Sequence, residues 1–256
     1  MKKICILIFI VFSCNQPTNQ YNINDNAEGI WKEYYESGQL KSQGNFDDGK
    51  KDGIWKQYYE DGQLESEGNF INSNKDGMWE FFQENGYYES KDNFKKGLLE
   101  GLSKEYYNNG RLSSEGIYKD DEKEGVWKQY YEDGILRKET SFSRGLVNGF
   151  VKQYYPNGQL EAKYFTKELL EKKYDAYSSW PVYNSYGEFK YYYKNGHLRV
   201  KGFYSENEPT GVWKWYAEDG QLQFEGSHSE GKKAGMGGKL MMDLNVSEFF
   251  NTQKKA

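Results

Sequence analysis

Large aromatic side chains alternate with lysine, glutamate and glutamine along short stretches of this chain, and each stretch runs into a polar dipeptide ending in glycine. Gly53-Ile-Trp55-Lys-Gln-Tyr58-Tyr59-Glu-Asp61-Gly62-Gln-Leu64-Glu-Ser-Glu-Gly68-Asn-Phe70 is one such passage. Aromatic and branched residues flanking Asp-Gly or Asn-Gly predict a β-hairpin, with a two-residue type I′ turn that needs positive φ at both positions. The passage recurs: Gly29, Gly53, Gly77, Gly101, Gly125 and Gly149 stand 24 apart, as do Gly187, Gly211 and Gly235. The turn dipeptide is Asp-Gly or Asn-Gly in seven of eight units, with Ser37-Gly38 the exception. A period of this size predicts an array whose units bury surface only against their neighbours.

Counting outward from Asp61-Gly62 sets Lys56 opposite Glu67. The same count sets Lys104 opposite Glu115, Lys128 opposite Glu139 and Lys214 opposite Glu225, with Glu80 and Lys91 reversed. Five opposite-charge pairs support one register. It also places Trp31 across from Gly44, Trp55 from Gly68 and Trp213 from Gly226, and Val151 across from Tyr164. By alternation Trp55, Tyr59, Leu64 and Phe70 share a packed face, and Ile54, Lys56, Tyr58, Glu65 and Glu67 a wetter one. The expected fold is all-β, an elongated single-layer antiparallel sheet of about eight repeated 24-residue hairpins. About sixteen strands at ~4.8 Å each would extend ~75 Å.

Composition narrows the chemistry. Tyr 24, Phe 15 and Trp 7 supply the burial that a chain poor in aliphatic residues needs. A net charge of −5 disfavours a nucleic-acid binder. Both cysteines, Cys5 and Cys14, fall within the first 14 residues, so zinc, disulfide and thiol chemistry have no ligands further along. No cluster of acids and bases breaks the repeat, so no catalytic residue, metal or cofactor is expected. Acidic pairs such as Glu60-Asp61 recur with the repeat and read as turn formers.

The ends and one interruption leave the pattern. Met1-Lys2-Lys3 precedes an apolar run, Ile4 to Phe12, too short to span a membrane, which needs ~20 residues. It ends in Val11-Phe12-Ser13-Cys14, which resembles the lipobox of bacterial lipoproteins, and that resemblance implies a signal peptide over 1–13 and a lipid on Cys14. The expected organisation continues with a tether over 14–28, repeats one to six over 29–165 and an insertion over 166–186. Repeats seven and eight follow over 187–235, then a cap over 236–256 that closes the last sheet edge.

Gly44-Asn-Phe46-Asp-Asp-Gly49-Lys-Lys-Asp-Gly53-Ile-Trp55 resembles the MORN repeat, in the bacterial variant found in YwqK-type antitoxins. The resemblance covers 29–235 apart from 166–186. It implies a protein-binding scaffold, with toxin neutralisation as one form of that binding; the lipobox resemblance adds the address, a lipid-anchored protein of the bacterial cell envelope. Trp55-x-x-Tyr58-x-x-x-Gly62 is also similar to choline- and glycan-binding repeats of bacterial surface proteins, which gives a rival partner class.

Two aromatic groups are the candidate partner-binding residues. Tyr34, Tyr58, Tyr106, Tyr130, Tyr154, Tyr192 and Tyr216 form a ladder on the wetter face, with Phe82 filling the column. Tyr174, Tyr177, Trp180, Tyr183 and Tyr186 crowd the insertion at intervals of three, where no repeat rule demands them.

Overall fold

The computed structural model describes residues 29–168, 183–206, 208–229 and 232–234, which form strands and turns without a helix. Met1 to Cys14, the tether, most of the insertion and the expected cap lie outside the described residues. The strands fall into two compact units, one reaching Gly110 and the other beginning at Arg111. The first unit contains β1 (Gly29–Tyr34), β2 (Leu40–Asp47), β3 (Lys50–Tyr58), β4 (Leu64–Ile71), β5 (Asn74–Phe82), β6 (Tyr88–Lys95) and β7 (Leu98–Tyr106). The second contains β8 (Leu112–Lys119), β9 (Glu122–Tyr130), β10 (Leu136–Ser143), β11 (Leu146–Tyr154) and β12 (Leu160–Glu168). It continues with β13 (Tyr183–Tyr192), β14 (Leu198–Ser205), β15 (Glu208–Tyr216), β16 (Leu222–Ser229) and β17 (Lys232–Ala234). Within each unit every strand pairs antiparallel with the next in sequence. The fold is thus the expected all-β array of antiparallel hairpins.

The register follows the charge pattern. Lys56 lies opposite Glu67 and Glu80 opposite Lys91, with ion pairs of 2.7 and 2.8 Å; Lys214 and Glu225 pair at 3.0 Å. Glu139 lies opposite Lys128 as the count gives it, yet its ion pair forms with the neighbour on its other side. It lies beside both Lys128 and Lys152 and bonds Lys152 at 2.7 Å, because a strand inside a sheet has neighbours on two sides.

The type I′ turns occur at the other hairpin. Asp48-Gly49, Asn72-Ser73, Lys96-Gly97, Asp120-Asp121 and Arg144-Gly145 have both central residues at positive φ, for example 46° and 72° in the first. At Asp61-Gly62 only the glycine does, at 90°. There the Gly62 N–H donates to the Tyr59 carbonyl (2.9 Å) and the Tyr59 N–H to the Gln63 carbonyl (2.8 Å), so the loop has three residues closing on a glycine bulge. Asp61 has a different task from the one expected: its Oδ1 accepts the Gln63 N–H at 2.9 Å. Asn85, Asp133, Asn157, Asn195 and Asp219 do the same two residues ahead, which is why Asp or Asn precedes the glycine.

The bulge moves one residue to the other face. Tyr58 pairs with Leu64 rather than Glu65, so Leu64 belongs beside Tyr58 and not with Trp55 as alternation predicts. Phe82 and Tyr88, at the equivalent positions, confirm this with ring centroids 4.9 Å apart.

The packed face is built around tryptophans that their own sheet buries. Trp55, Trp79, Trp127 and Trp213 are 1–3% exposed. Each indole lies on the glycine 11 positions earlier, and not on the residue 13 later that the hairpin count favours, which is glycine only for Trp55 and Trp213. A Cβ on Gly44, Gly68, Gly116 or Gly202 would stand within 2.2 Å of an indole carbon of Trp55, Trp79, Trp127 or Trp213 respectively. Trp55, Trp79 and Trp127 donate Nε1–H to the carbonyls of Asn45, Asn69 and Ile117 at 2.9–3.1 Å. Lys51, Lys75 and Lys123 set their ammonium groups 4.1, 4.4 and 4.0 Å from the same three rings. Phenylalanines stand edge-on between successive indoles, Phe70 being 6.2 Å from Trp55 and 4.9 Å from Trp79.

Pairing at eleven residues accounts for units where glycine is missing. Asp92 and Ser103 replace a glycine and a tryptophan, and the Ser103 hydroxyl donates to the Asp92 carboxylate at 2.5 Å. Thr140 and Val151, opposite one another, fill the same space with two middle-sized side chains.

Candidate functional site

The tyrosine doublet divides its labour. The second tyrosine ties one hairpin to the next: Tyr35, Tyr59, Tyr131, Tyr155 and Tyr193 donate hydroxyl protons to the carbonyls of Tyr58, Phe82, Tyr154, Tyr192 and Tyr216 at 2.7–2.9 Å. The bond from Tyr155 to Tyr192 spans the interruption, so the step between hairpins is kept across the extra residues.

The first tyrosine is the predicted ladder. Tyr34, Tyr58, Tyr106, Tyr130, Tyr154, Tyr192 and Tyr216 are all half-buried. Leucines stand between successive rungs: Tyr34 pairs with Leu40, Tyr130 with Leu136, Tyr154 with Leu160, Tyr192 with Leu198 and Tyr216 with Leu222. Several hydroxyls are engaged in the sheet. The Gln43 amide donates to Tyr58 Oη at 2.8 Å, Tyr130 donates to Glu115 at 2.8 Å and Tyr154 to Glu139 at 3.1 Å. Glu139 also accepts from Lys152, and that bond holds its carboxyl below the usual carboxylate range.

Burial, and next the hydrogen bond to Glu115, push the Tyr130 hydroxyl from 10.0 up to about 12. An acid with a higher pKa in the folded state favours folding fully below its unfolded pKa and loses that contribution as pH rises through the folded value. Melting temperature is therefore expected to fall between about pH 10 and pH 12. Thermal melts of Tyr130→Phe over this range check it, because the variant's decline should be shallower.

The insertion candidates separate. Tyr174, Tyr177 and Trp180 lie outside the described residues. Tyr183 opens β13 opposite Glu168, and Tyr186 lies within the same strand, half-buried and opposite Phe165. Residues 166–168 and 183–186 continue paired strands, so the pairing runs past the bounds that the repeat count gave the insertion.

Two features of the ladder face were not singled out from the sequence. The residue after the repeat glycine is apolar and exposed in seven of the eight hairpins, Glu188 being the exception: Ile30 (77%), Ile54 (59%), Met78 (58%) and Leu102 in the first unit, Val126, Phe150 and Val212 in the second. The 24-residue period carries this signal. In the second unit, Lys152, Lys163, Lys190, Lys201 and Lys214 are consecutive cross-strand neighbours. The hairpin count finds Lys152/Lys163 and Lys190/Lys201 as separate like-charged pairs, and only the pairing between hairpins joins them.

Hairpins stitched by hydroxyl clamps and glycine-seated indoles, with a polar and aromatic face left open, define a β-hairpin repeat scaffold. The profile of the MORN repeat variant family matches residues 27–48, 51–72, 99–120, 123–143, 148–168, 186–206 and 209–229, more than half of the chain. The chain belongs to that family, and its repeats form a scaffold for binding. The unmatched third unit folds in the same register, Gly77 opposite Phe94 and Glu80 opposite Lys91, despite Asp92 at the glycine position. No curated protein matches the chain.

Proposed function

We propose that this chain is a non-enzymatic scaffold that binds a protein partner at the bacterial envelope, held there by a lipid on Cys14. The observation that carries the reading is the recurrence of exposed apolar side chains, Ile30, Ile54, Met78 and Leu102, on the face of the first unit that also carries tyrosines of the ladder. Apolar residues scattered singly over a surface need no explanation; the same exposed position filled in repeat after repeat is the composition of an interaction surface. Neutralisation of a toxin is the form of this binding that the family resemblance supplies. The glycan or choline alternative has less support. The indoles that would stack on a sugar are buried, and the ammonium groups of Lys51, Lys75 and Lys123 already occupy the position a choline would take over three of them.

Two measurements on the full chain test this. Wild type should sediment with membranes and Cys14→Ala should be released to the soluble fraction, since a nine-residue apolar run is too short to span. A partner cross-linked to wild type should be lost from Ile54→Asp/Met78→Asp, a folded variant by circular dichroism. Membrane retention of Cys14→Ala defeats the anchor, and an undiminished cross-link in the double variant defeats the binding face.

A further inference from the structure

Among the described residues, like charges meet elsewhere on the ladder face only in twos, Glu67 opposite Glu80 and Lys91 opposite Lys104, whereas in the second unit five lysines follow one another. Like charges placed directly opposite one another in a sheet are destabilising. Lys152, Lys163, Lys190, Lys201 and Lys214 nevertheless follow one another over β11, β12, β13, β14 and β15. Three have local carboxylates: Lys152 bonds Glu139 (2.7 Å), Lys190 bonds Glu188 (2.8 Å) and Lys214 bonds Glu225 (3.0 Å). Lys163 and Lys201 have lysines on both sides and, among the described residues, no carboxylate partner. Lys163 lies 4.8 Å from the Phe150 ring and Lys201 6.0 Å from the Tyr216 ring. Two uncompensated cations thus stand on β12 and β14, two strand widths or ~9.6 Å apart. Exposed Phe150 (48%) and Phe203 (50%) border the row on one side, two residues from Lys152 and Lys201 along their strands.

Resting on the reading of the chain as a protein-binding scaffold, the geometry points to the partner's chemistry: an extended acidic peptide segment lying across β11 to β15, with carboxylates on Lys163 and Lys201. A chain in the polyproline II conformation returns side chains to the same side every three residues, a rise of ~9.3 Å. Aspartates or glutamates three apart therefore match the spacing of the two cations. An α-helix returns acidic side chains every ~5–6 Å and would set successive carboxylates against lysines that already have partners. Phe150 and Phe203 offer apolar contact to the residues between the acids. Among the described residues, the row is the longest run in which like charges face one another, and such a departure from local pairing is expected of a functional surface.

The probe is a fluorescein-labelled peptide of four Asp-Pro-Pro repeats, titrated with the full chain and followed by anisotropy at low and high salt. An Asn-Pro-Pro peptide, phosphatidylglycerol vesicles and a single-stranded oligonucleotide serve as comparisons. The Asp peptide should bind, the Asn peptide should not, and added salt should weaken binding. Lys163→Glu/Lys201→Glu should lose about tenfold in affinity or more. Its melting temperature should equal or exceed that of wild type, since each new carboxylate lies between two lysines; Lys163→Gln/Lys201→Gln provides a second variant if the first misfolds. Equal affinity in the variants, equal binding of the Asn peptide, or a preference for vesicles or oligonucleotide that the variants abolish would each overturn the proposal. A partner that still cross-links to the lysine variants but not to Ile54→Asp/Met78→Asp would leave the scaffold reading intact while removing this one.

Discussion

Gly68→Thr is expected to destabilise the protein by about 3 kcal/mol, and Trp79→Val by a comparable amount, whereas the double variant costs far less than their sum. A Cβ at Gly68 meets Trp79 Cδ2 at 2.2 Å, closer than any real side-chain contact, and the indole cannot retreat. Its Nε1–H is fixed on the Asn69 carbonyl, Lys75 covers one face and Phe70 stands against it. Reducing the indole to valine removes the clash and leaves a pair like Thr140 and Val151, which the protein already uses three repeats further on. Urea midpoints of the two single variants and the double variant should show coupling of about 1–3 kcal/mol. Additive effects would mean that the indole is not seated on this glycine.

The largest contrast comes from two deletions that differ by one residue. Removing residues 44–67 joins Gln43 to Gly68 and restores the local sequence found at Gln43-Gly44-Asn45-Phe46. Trp79 keeps its glycine, and the Tyr35 hydroxyl meets the Phe82 carbonyl as Tyr59 did. This chain should fold, with far-ultraviolet circular dichroism scaled to its length and a melting temperature within a few degrees of wild type. Removing residues 44–68 instead joins Gln43 to Asn69 and shifts the hybrid strand by one position. Every side chain beyond the junction then changes face, and a Phe70 built to stand between indoles points to the wet side. Loss of the cooperative transition in the first unit is the expected result.

The repeat and its register were legible because they rest on local and redundant signals: a glycine every 24 residues, and lysines facing glutamates across single turns. What lies between hairpins was harder to read. The count from Asp61-Gly62 sees the neighbour on one side of a strand, so it pairs Trp55 with Gly68 and misses Gly44, on which the indole rests. Asp-Gly was ambiguous for another reason. The same dipeptide serves a type I′ turn at Asp48-Gly49 and a side-chain-capped bulge turn at Asp61-Gly62, and only the backbone angles tell them apart. The lysine row was hidden by the interruption, which separates Lys163 from Lys190 in the chain while leaving them opposite one another in the sheet. Two ladder hydroxyls bond carboxylates 15 residues earlier, Glu115 and Glu139, at the position Gln43 holds for Tyr58, and a count across single turns does not reach them because they lie on the neighbouring hairpin.

The tyrosine clamp that reaches only as far as the next hairpin also governs how the chain can acquire its structure. Tyr59 is bound 23 residues ahead and Tyr155, across the interruption, 37 ahead. Most β-proteins fold slowly because distant segments must find one another before any contact rewards the loop that is closed. Here a hairpin and its successor contain all that is needed to seat an indole and close a clamp, and each added hairpin repeats that small search on an existing template. A polypeptide of this kind does not have to wait for its C-terminus. Emerging thread-like from a ribosome, it can consolidate behind the exit while later repeats are still inside.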